Sequence, residues 1–169
     1  MALAVLMILH ASFFTLHSMA QGISFGYVSY EKVFQSMPDY ATAQQNLGIL
    51  RAKYADEAKR VEDEFNKKYE EFLDGQREFP ATILQKRQAE LQQLMEKNIA
   101  FKEESRKLLA QAEQEAYAPI HQKLAGALQT VGSSRGLAFI INTDQNACPY
   151  INPEMGVDVT EDVINALAH

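Results

Sequence analysis

The sequence is poor in cysteine, tryptophan and positive charge. It has 169 residues, with one cysteine, Cys148, and no tryptophan. A single cysteine excludes a disulfide within the chain and a metal site made of several thiolates. Lysine and arginine number 16 against 22 aspartates and glutamates, which gives a net charge of -6. Because binding to a phosphate backbone needs a basic surface, we expect no nucleic-acid partner.

Signatures of catalysis and metal binding are also scarce. There is no glycine-rich phosphate loop and no H-E-x-x-H, and His121 has no nucleophile near it in the sequence. Four acids could suggest a cation site, although their spacing matches no calcium loop: Asp144, Asp158, Glu161 and Asp162. We therefore predict that the protein is not an enzyme and needs no cofactor or metal.

Glycine and proline are scarce too, with 8 and 5 residues, so a disordered centre is not expected. Apolar residues three and four apart instead predict two helices within residues 40–131. The two stripes are Leu47, Leu50, Tyr54, Val61, Phe65 and Phe72, and then Leu84, Leu91, Leu94, Phe101, Leu108 and Ala112. Gly75 and Pro80 separate them, so we expect a long antiparallel coiled-coil hairpin with its tip near residues 74–81.

Polar residues and one proline interrupt these stripes. Arg87, Asn98 and Ser105 occupy slots of the second stripe, where polar side chains weaken a seam but can fix its register. For Arg87 and Asn98 we favour this role over contacts with a binding partner. Pro119 should kink or break the second helix. We interpret it as a fixed kink where the hairpin meets the rest of the protein, with a hinge as the alternative.

Residues 21–39 and 132–169 flank the hairpin and predict a small β-rich body. Strands are expected at Ile23–Tyr30, Leu137–Ile141 and Ala147–Ile151. The last strand should lie at a sheet edge, because Pro149 has no N–H to donate. The predicted fold class is therefore α+β, mostly α.

Three short strands make a poor core on their own, so we expect several copies of the chain to join their sheets in a homo-oligomer. The apolar residues predicted to form this oligomerisation body are Phe25, Tyr27, Val28, Leu137, Phe139, Ile140 and Ile141.

Ser36 and Thr160 are expected to cap the helices that follow them.

Residues 1–20 have the composition of a secretory signal peptide. The first 16 carry no charged side chain unless His10 is protonated, and Ser18-Met19-Ala20 places small residues where a signal peptidase reads them. The apolar run is shorter than the roughly 20 residues of a membrane-spanning helix. We therefore predict export with cleavage before Gln21, and a membrane anchor is the less favoured alternative.

The order of these segments resembles the Skp/OmpH family of periplasmic chaperones. The resemblance rests on the opening strand Gly26 to Ser29 (GYVS), the following Glu31 to Phe34 (EKVF), the hairpin, and the closing Asp158 to Ile164 (DVTEDVI). It implies a homotrimer in which a β body joins three arms around a cavity. Unfolded outer-membrane proteins would be held in that cavity, in the periplasm and without ATP. The main alternative is a coiled-coil scaffold or adaptor of the cell envelope that binds one folded partner.

Candidate client-binding residues are apolar residues off the seam or near the tip: Tyr69, Phe79, Ile83, Met95 and Ile99. Phe79 is the strongest candidate, although packing within the hairpin is the favoured interpretation for any single one. Residues 40–131 hold 14 lysines and arginines against 15 acids, and the rest of the chain holds 2 against 7. The hairpin is thus almost neutral, so we do not expect capture by a positive cavity, and contact with a membrane should be peripheral at most.

Overall fold

A computed structural model describes residues 23–168, so the predicted signal peptide lies outside the described residues. The protein is mostly helical and carries one small three-stranded sheet. In chain order its elements are β1 (Phe25–Val28), α1 (Tyr30–Ser36), α2 (Pro38–Gly75), α3 (Ala81–Ser134), β2 (Ile140–Asn142), a 3-10 turn (Asp144–Asn146), β3 (Gly156–Asp158) and α4 (Thr160–Leu167). The two long helices α2 and α3 are called the arm below.

The arm helices begin and end where local chemistry dictates. Pro38 is the first residue of α2, where its missing N–H costs nothing, and Asp39 adds an acid to the first turn. The helix has 38 residues and ends at Gly75, a length of roughly 57 Å. Pro80 precedes α3, and its carbonyl accepts hydrogen bonds from Ile83 N and Leu84 N, both at 2.9 Å.

Ion pairs define how the two arm helices lie against each other. The pairs between α2 and α3 are Asp39–Lys123, Arg51–Glu113 and Glu62–Lys102. The residue numbers of the partners therefore rise along α2 while they fall along α3. The Nδ2 of Asn98 adds a contact of the same kind, because it donates to the backbone O of Val61 at 3.0 Å.

Burial along the arm is uneven. Near the body, Ala43 and Leu47 of α2 are buried, and so are Ile120 and Leu124 of α3. None of the apolar side chains in residues 48–119 is buried to the same degree. The two-helix seam is therefore half-open over most of its length, and the arm takes its firm support from its base.

Pro119 is predicted to kink or break α3; the helix continues through it, so a break is wrong, while a kink stays a prediction. The helix runs for 54 residues from Ala81 to Ser134 with Pro119 inside it. Proline removes one backbone donor, which leaves the carbonyl of Glu115 without its helical partner. The turn that follows is held by Ile120 and Leu124, which are 2% and 0% exposed. Burial of these side chains offsets the lost hydrogen bond.

The sheet has the order β2–β1–β3, and both strand pairs are parallel. Gly26 at its centre pairs with Ile140 on one side and Val157 on the other. The strand predicted at Ala147–Ile151 is wrong, because that segment lies in a loop and β3 follows it at Gly156–Asp158. A turn closed by Gly156 N donating to Asn152 O at 2.9 Å directs the chain into β3.

The first strand is shorter than predicted because a helix begins within its expected span. Ser29 directly follows β1 and caps α1, because its Oγ accepts a hydrogen bond from Lys32 N at 3.2 Å. Tyr30, the last residue of the predicted strand, is instead the first residue of α1, a helix that is not among the predicted elements. A carboxylate far away in the chain completes this cap: Asp144 Oδ2 accepts from Glu31 N at 2.7 Å.

Two predicted helix caps are also wrong. Ser36 is the last residue of α1, and its Oγ donates to Val33 O at 2.7 Å; Met37 stands at the start of α2. Thr160 is the first residue of α4 rather than its cap. Its Oγ1 accepts a hydrogen bond from Ser29 N at 3.3 Å, so the side chain ties the last helix to the end of the first strand.

One hydrophobic core joins the body to the base of the arm. Its most buried side chains are Val28, Val33, Leu124, Val159 and Val163. They come from β1, α1, α3 and the start of α4, and Ala127 and Val131 of α3 belong to the same cluster. The last turns of the arm are therefore part of the body's core.

This arrangement predicts that alanine substitutions of two leucines of α3 lower the free energy of unfolding by very different amounts. Leu124→Ala should lower the free energy of unfolding by about 3 kcal/mol, because it leaves a cavity in a closed core. Leu108→Ala, at a position 37% exposed, should cost about 1 kcal/mol or less. Urea unfolding followed by circular dichroism at one protein concentration measures both. Equal losses would contradict a core placed at the base of the arm.

Candidate functional site

Several large apolar side chains of the arm face solvent. They are Ile49, Tyr69, Leu73, Ile83, Met95, Ile99 and Leu108. Single exposed apolar residues are common on protein surfaces and carry little meaning. Their position relative to one another decides whether they form a surface that another molecule could bind.

Four of these residues share one face of the arm. The three-four spacing of the seam passes from Phe65 through position 68 to Phe72, and on α3 through positions 94 and 98. One residue directly follows each of the positions 68, 72, 94 and 98, and these residues are Tyr69, Leu73, Met95 and Ile99. A residue after a seam position is turned from it by about 100° in the same sense on both helices. The ion-pair partners rise in number along α2 and fall in number along α3. Residues that directly follow seam positions on the two helices therefore lie on the same face of the helix pair.

An ion pair on this face shows which apolar residues of α2 and α3 lie opposite each other. Glu62 and Lys102 also follow seam positions, and their side chains meet at 2.9 Å. Tyr69 and Met95 each lie one heptad further toward the tip, so they should face each other in the same way. We call the set of Tyr69, Leu73, Met95 and Ile99 the outer apolar patch; its members are between 44% and 53% exposed.

The outer apolar patch has internal order. Tyr69 and Leu73 are four residues apart, as are Met95 and Ile99, which places each pair side by side on its helix. The ring of Tyr69 stacks on that of Phe65, with centroids 6.0 Å apart. Sequence reasoning named three of the four residues and missed Leu73, although its spacing from Tyr69 could have revealed it.

Ile83 and Ile49 do not belong to this patch. Each comes directly before a seam residue, Leu84 and Leu50, so each is turned to the opposite face of the arm. Ile83 is 40% exposed and Ile49 50%. The structure thus separates the candidate residue Ile83 from Met95 and Ile99.

Phe79 has a different environment from the other candidates. It is half-buried, and its ring lies over Gly75, where any Cβ would clash with it. With Phe72, Leu91 and Leu94, Phe79 lines a cavity of about 280 Å³, which we call the tip cavity. Phe79 is therefore part of the packing of the tip and does not stand out as a free binding residue.

The polar residues of the second stripe behave in three different ways. Asn98 links the helices through Val61, as a residue that fixes register should. Arg87 pairs with Glu90 of its own helix at 3.0 Å and makes no such link. Ser105 is 8% exposed, and its Oγ has no hydrogen-bond partner within residues 23–168.

An aromatic cluster surrounds His121 where the arm meets α1. The Nδ1 of His121 lies 2.9 Å from the hydroxyl of Tyr30, and its ring stacks on Phe34 with centroids 4.4 Å apart. Tyr117 packs edge-on against Phe34 and accepts a hydrogen bond from Gln44 Nε2 at 2.5 Å. Burial raises the pKa of Tyr30 and of Tyr117, so both phenols stay neutral. The cluster therefore joins α1 to both helices of the arm.

The four acids that could have suggested a cation site each have a structural partner. Asp144 accepts hydrogen bonds from Ser29 and the α1 backbone. Asp158 Oδ1 accepts from Thr160 N at 2.9 Å, Glu161 pairs with Lys32, and Asp162 pairs with Arg135. No group of three or more His, Cys, Asp or Glu that could hold a metal occurs between residues 23 and 168.

The spacing G-x-S-x-G of serine hydrolases occurs twice in the sequence, at residues 22–26 and at residues 132–136. In the first of them, Ser24 directly precedes the strand β1, which continues to Val28. That spacing acts when a strand turns sharply into a helix and exposes the serine. The second segment, residues 132–136, is the end of α3, and Ser134 Oγ donates to Val131 O at 3.0 Å. This second motif is therefore a helix terminus, without the geometry of a nucleophile.

The body carries a second exposed apolar surface along the two sheet edges. Phe139 stacks on Phe25 with centroids 5.5 Å apart, and Phe139 itself is half-exposed. Tyr150, Met155 and Val157 are exposed around β3. Sequence reasoning missed these last three residues, because it placed the edge strand too early. Of the predicted body residues, Val28 is buried, Phe139 exposed and the others half-buried.

Within the described part of the chain, no helix is long and apolar enough to cross a membrane. Cys148 is half-buried, and its Sγ lies 3.4 Å from the carbonyl O of Tyr150.

The chain matches one family model and several solved structures. The family model described as OmpH, "Outer membrane protein (OmpH-like)", matches residues 24–167. Among solved structures, a candidate outer membrane chaperone (OmpH-like) from Caulobacter crescentus matches with a TM-score of 0.70 and 17% identity, over 86% of this chain and 83% of that chain. No curated protein matches. At this identity, the solved structure is evidence for the fold alone.

Ser105 gives a direct test of the seam. Ser105→Ala removes a buried hydroxyl that lacks a partner and adds a better helix former, so it should raise the free energy of unfolding by about 1 kcal/mol. Urea unfolding measures the change. A loss of stability instead would mean that the hydroxyl is hydrogen-bonded in solution.

Proposed function

Because this chain belongs to the OmpH-like family of outer membrane proteins, we propose that it is a periplasmic chaperone. It would hold unfolded outer-membrane proteins without ATP and without covalent chemistry. Family membership supports the chaperone role in general. The observation that carries the mechanism is the outer apolar patch, which gathers Tyr69, Leu73, Met95 and Ile99 on one face of the arm.

The chemistry of the patch suits binding to many different sequences. The unbranched methionine side chain changes rotamer easily, so it can adapt to varied partners. Burying the exposed half of one such side chain contributes on the order of 1 kcal/mol. A single contact of this size is weak and reversible, which allows release without fuel. Tight holding then requires several contacts at once.

Several arms in one assembly would supply those contacts. We propose that each chain forms an antiparallel coiled-coil arm and that the bodies of three chains join through their sheet edges. Both edges, β2 and β3, are flanked by exposed apolar residues such as Phe139 and Val157. Exposed edges of this kind invite pairing with another chain. Three patches around one cavity would then bind one unfolded chain together.

Charge has a smaller role in this mechanism. The hairpin region 40–131 carries 14 cations and 15 acids, and many of them pair within one helix, as Lys59 does with Asp63 at 2.8 Å. A nearly neutral surface gives little long-range attraction. We therefore propose that capture depends mainly on apolar contacts and on the geometry of the cavity.

The patch predicts a difference between two matched double variants. Met95→Ser with Ile99→Ser removes half of the outer apolar patch, so about fivefold more chaperone should be needed to keep a client soluble. Ile49→Ser with Ile83→Ser makes a similar change on the opposite face and should have little effect. The measurement is light scattering after an unfolded outer-membrane protein is diluted from urea. Equal effects of the two variants would contradict the assignment of the client-binding face.

The same assay separates the chaperone from a scaffold or adaptor. A chaperone of this class should keep several unrelated unfolded outer-membrane proteins soluble in the absence of ATP. A scaffold should leave them to aggregate and instead bind one folded protein at fixed stoichiometry. Failure with every unfolded client tested would refute the proposed function.

The assembly predicts a change of mass. Gel filtration with light scattering should give three chain masses for the exported protein. Val157→Lys places a charge at the β3 edge, where the side chain is exposed in the single chain, and should produce a folded monomer. A wild-type monomer at micromolar concentration would rule out the proposed assembly.

A further inference from the structure

The tip cavity has an apolar floor that the arm does not fill with its own side chains. Phe79 lies over Gly75 at the end of the seam, so Phe72 and Leu91 line open space beside it. The volume is about 280 Å³, just under the roughly 300 Å³ at which pockets for whole small ligands begin. A space of this size suits one large side chain.

The rim of the tip cavity is charged, and its charges do not cancel. On α2, Lys68 pairs with Glu71 at 3.4 Å, and on α3, Arg87 pairs with Glu90 at 3.0 Å. Lys97 also lines the cavity. It is exposed and forms no ion pair with any residue between 23 and 168. Both rim carboxylates are thus matched by a cation of their own helix, and one ammonium group is left over.

The cavity lies on the face opposite the outer apolar patch. Its rim residues Glu71 and Glu90 come directly before the seam residues Phe72 and Leu91, whereas the patch residues come directly after seam positions. The arm therefore has two kinds of apolar surface near its tip. One is an open, uncharged surface, and the other is a partly open cavity bordered by Lys97, which has no ion pair within residues 23–168.

We propose that the tip cavity is a side-chain pocket for unfolded polypeptide, and that it takes an aromatic or large aliphatic side chain next to an aspartate or glutamate. The apolar side chain would enter between Phe72, Leu91 and Phe79, and the neighbouring carboxylate would pair with Lys97. This inference rests on the proposed function and adds a sequence preference to it. The nearly neutral arm then favours acidic segments locally, although it lacks a positive cavity.

The size of the preference follows from the exposure of the pair. An ion pair at a solvent-exposed rim changes affinity by up to about fivefold. It is screened by salt, because the Debye length falls well below 10 Å at high ionic strength. The apolar part of binding should not weaken in this way.

The test uses the full chain and short peptides of glycine and serine that carry one phenylalanine next to aspartate, serine or lysine. Binding is measured by titration with detection at the signals of Phe72 and Phe79 in nuclear magnetic resonance spectra, since both residues line the cavity and are kept in every variant. We expect the aspartate peptide to bind about fivefold more tightly than the lysine peptide at low salt, and equally at high salt. Lys97→Glu should reverse the order.

Two further variants keep the result specific. Lys107→Glu makes the same charge change further along α3, outside the cavity, and should leave the order unchanged. Leu91→Phe fills the cavity from within and should weaken all three peptides. Equal affinity of the three peptides at low salt, or the same shift from Lys97→Glu and Lys107→Glu, would overturn the proposal.

The aggregation assay on the wild-type chain distinguishes this inference from the proposed function. Solubility of unfolded clients without peptide discrimination means that the chain is a chaperone and that the pocket is wrongly assigned. Peptide discrimination without client solubility supports the pocket and refutes the chaperone role.

Discussion

The arm is stable because its base is buried in the core of the body. Two helices side by side bury only one seam, and isolated helices have little stability of their own in water. In this chain, α3 carries Leu124 and Val131 into the cluster of β1, α1 and α4. Since α3 continues without a break to the tip, the orientation set at the base extends along the whole helix. The 54-residue helix thus joins core and arm in one element.

The same uneven burial determines which part of the arm can bind other molecules. A seam of fully buried residues from base to tip would leave few apolar side chains for a partner. Beyond Leu47 the seam is half-open, and Tyr69 and Met95 lie outside it. Regions with few buried contacts also open locally at low free-energy cost. Weak packing in the outer arm is therefore the physical condition for an adaptable binding surface.

Local patterns were sufficient to predict the long helices, because their signal repeats over many turns. The stop at Gly75 and the restart at Ala81 follow from glycine and proline chemistry. The short helix α1 could not be predicted in this way. It has 7 residues, and its start depends on Asp144, which reaches it from the other end of the chain. The position of β3 likewise depends on its pairing with β1, so the sequence of β3 alone was not sufficient to predict it.

The candidate site shows the same division between local and non-local information. Apolar residues off the seam were visible in the sequence, but their faces were not, because a face is defined only once α2 and α3 are aligned. The Glu62–Lys102 pair provides that alignment, and it places Met95 with Tyr69 while it separates Ile83 from both. The alignment of α2 and α3 also explains how the arm of an acidic chain can prefer one sign of charge in a bound segment. The charges nearly cancel along the arm as a whole, so the preference for one sign proposed here depends on an unpaired group beside a local apolar site, as at Lys97 on the rim of the tip cavity.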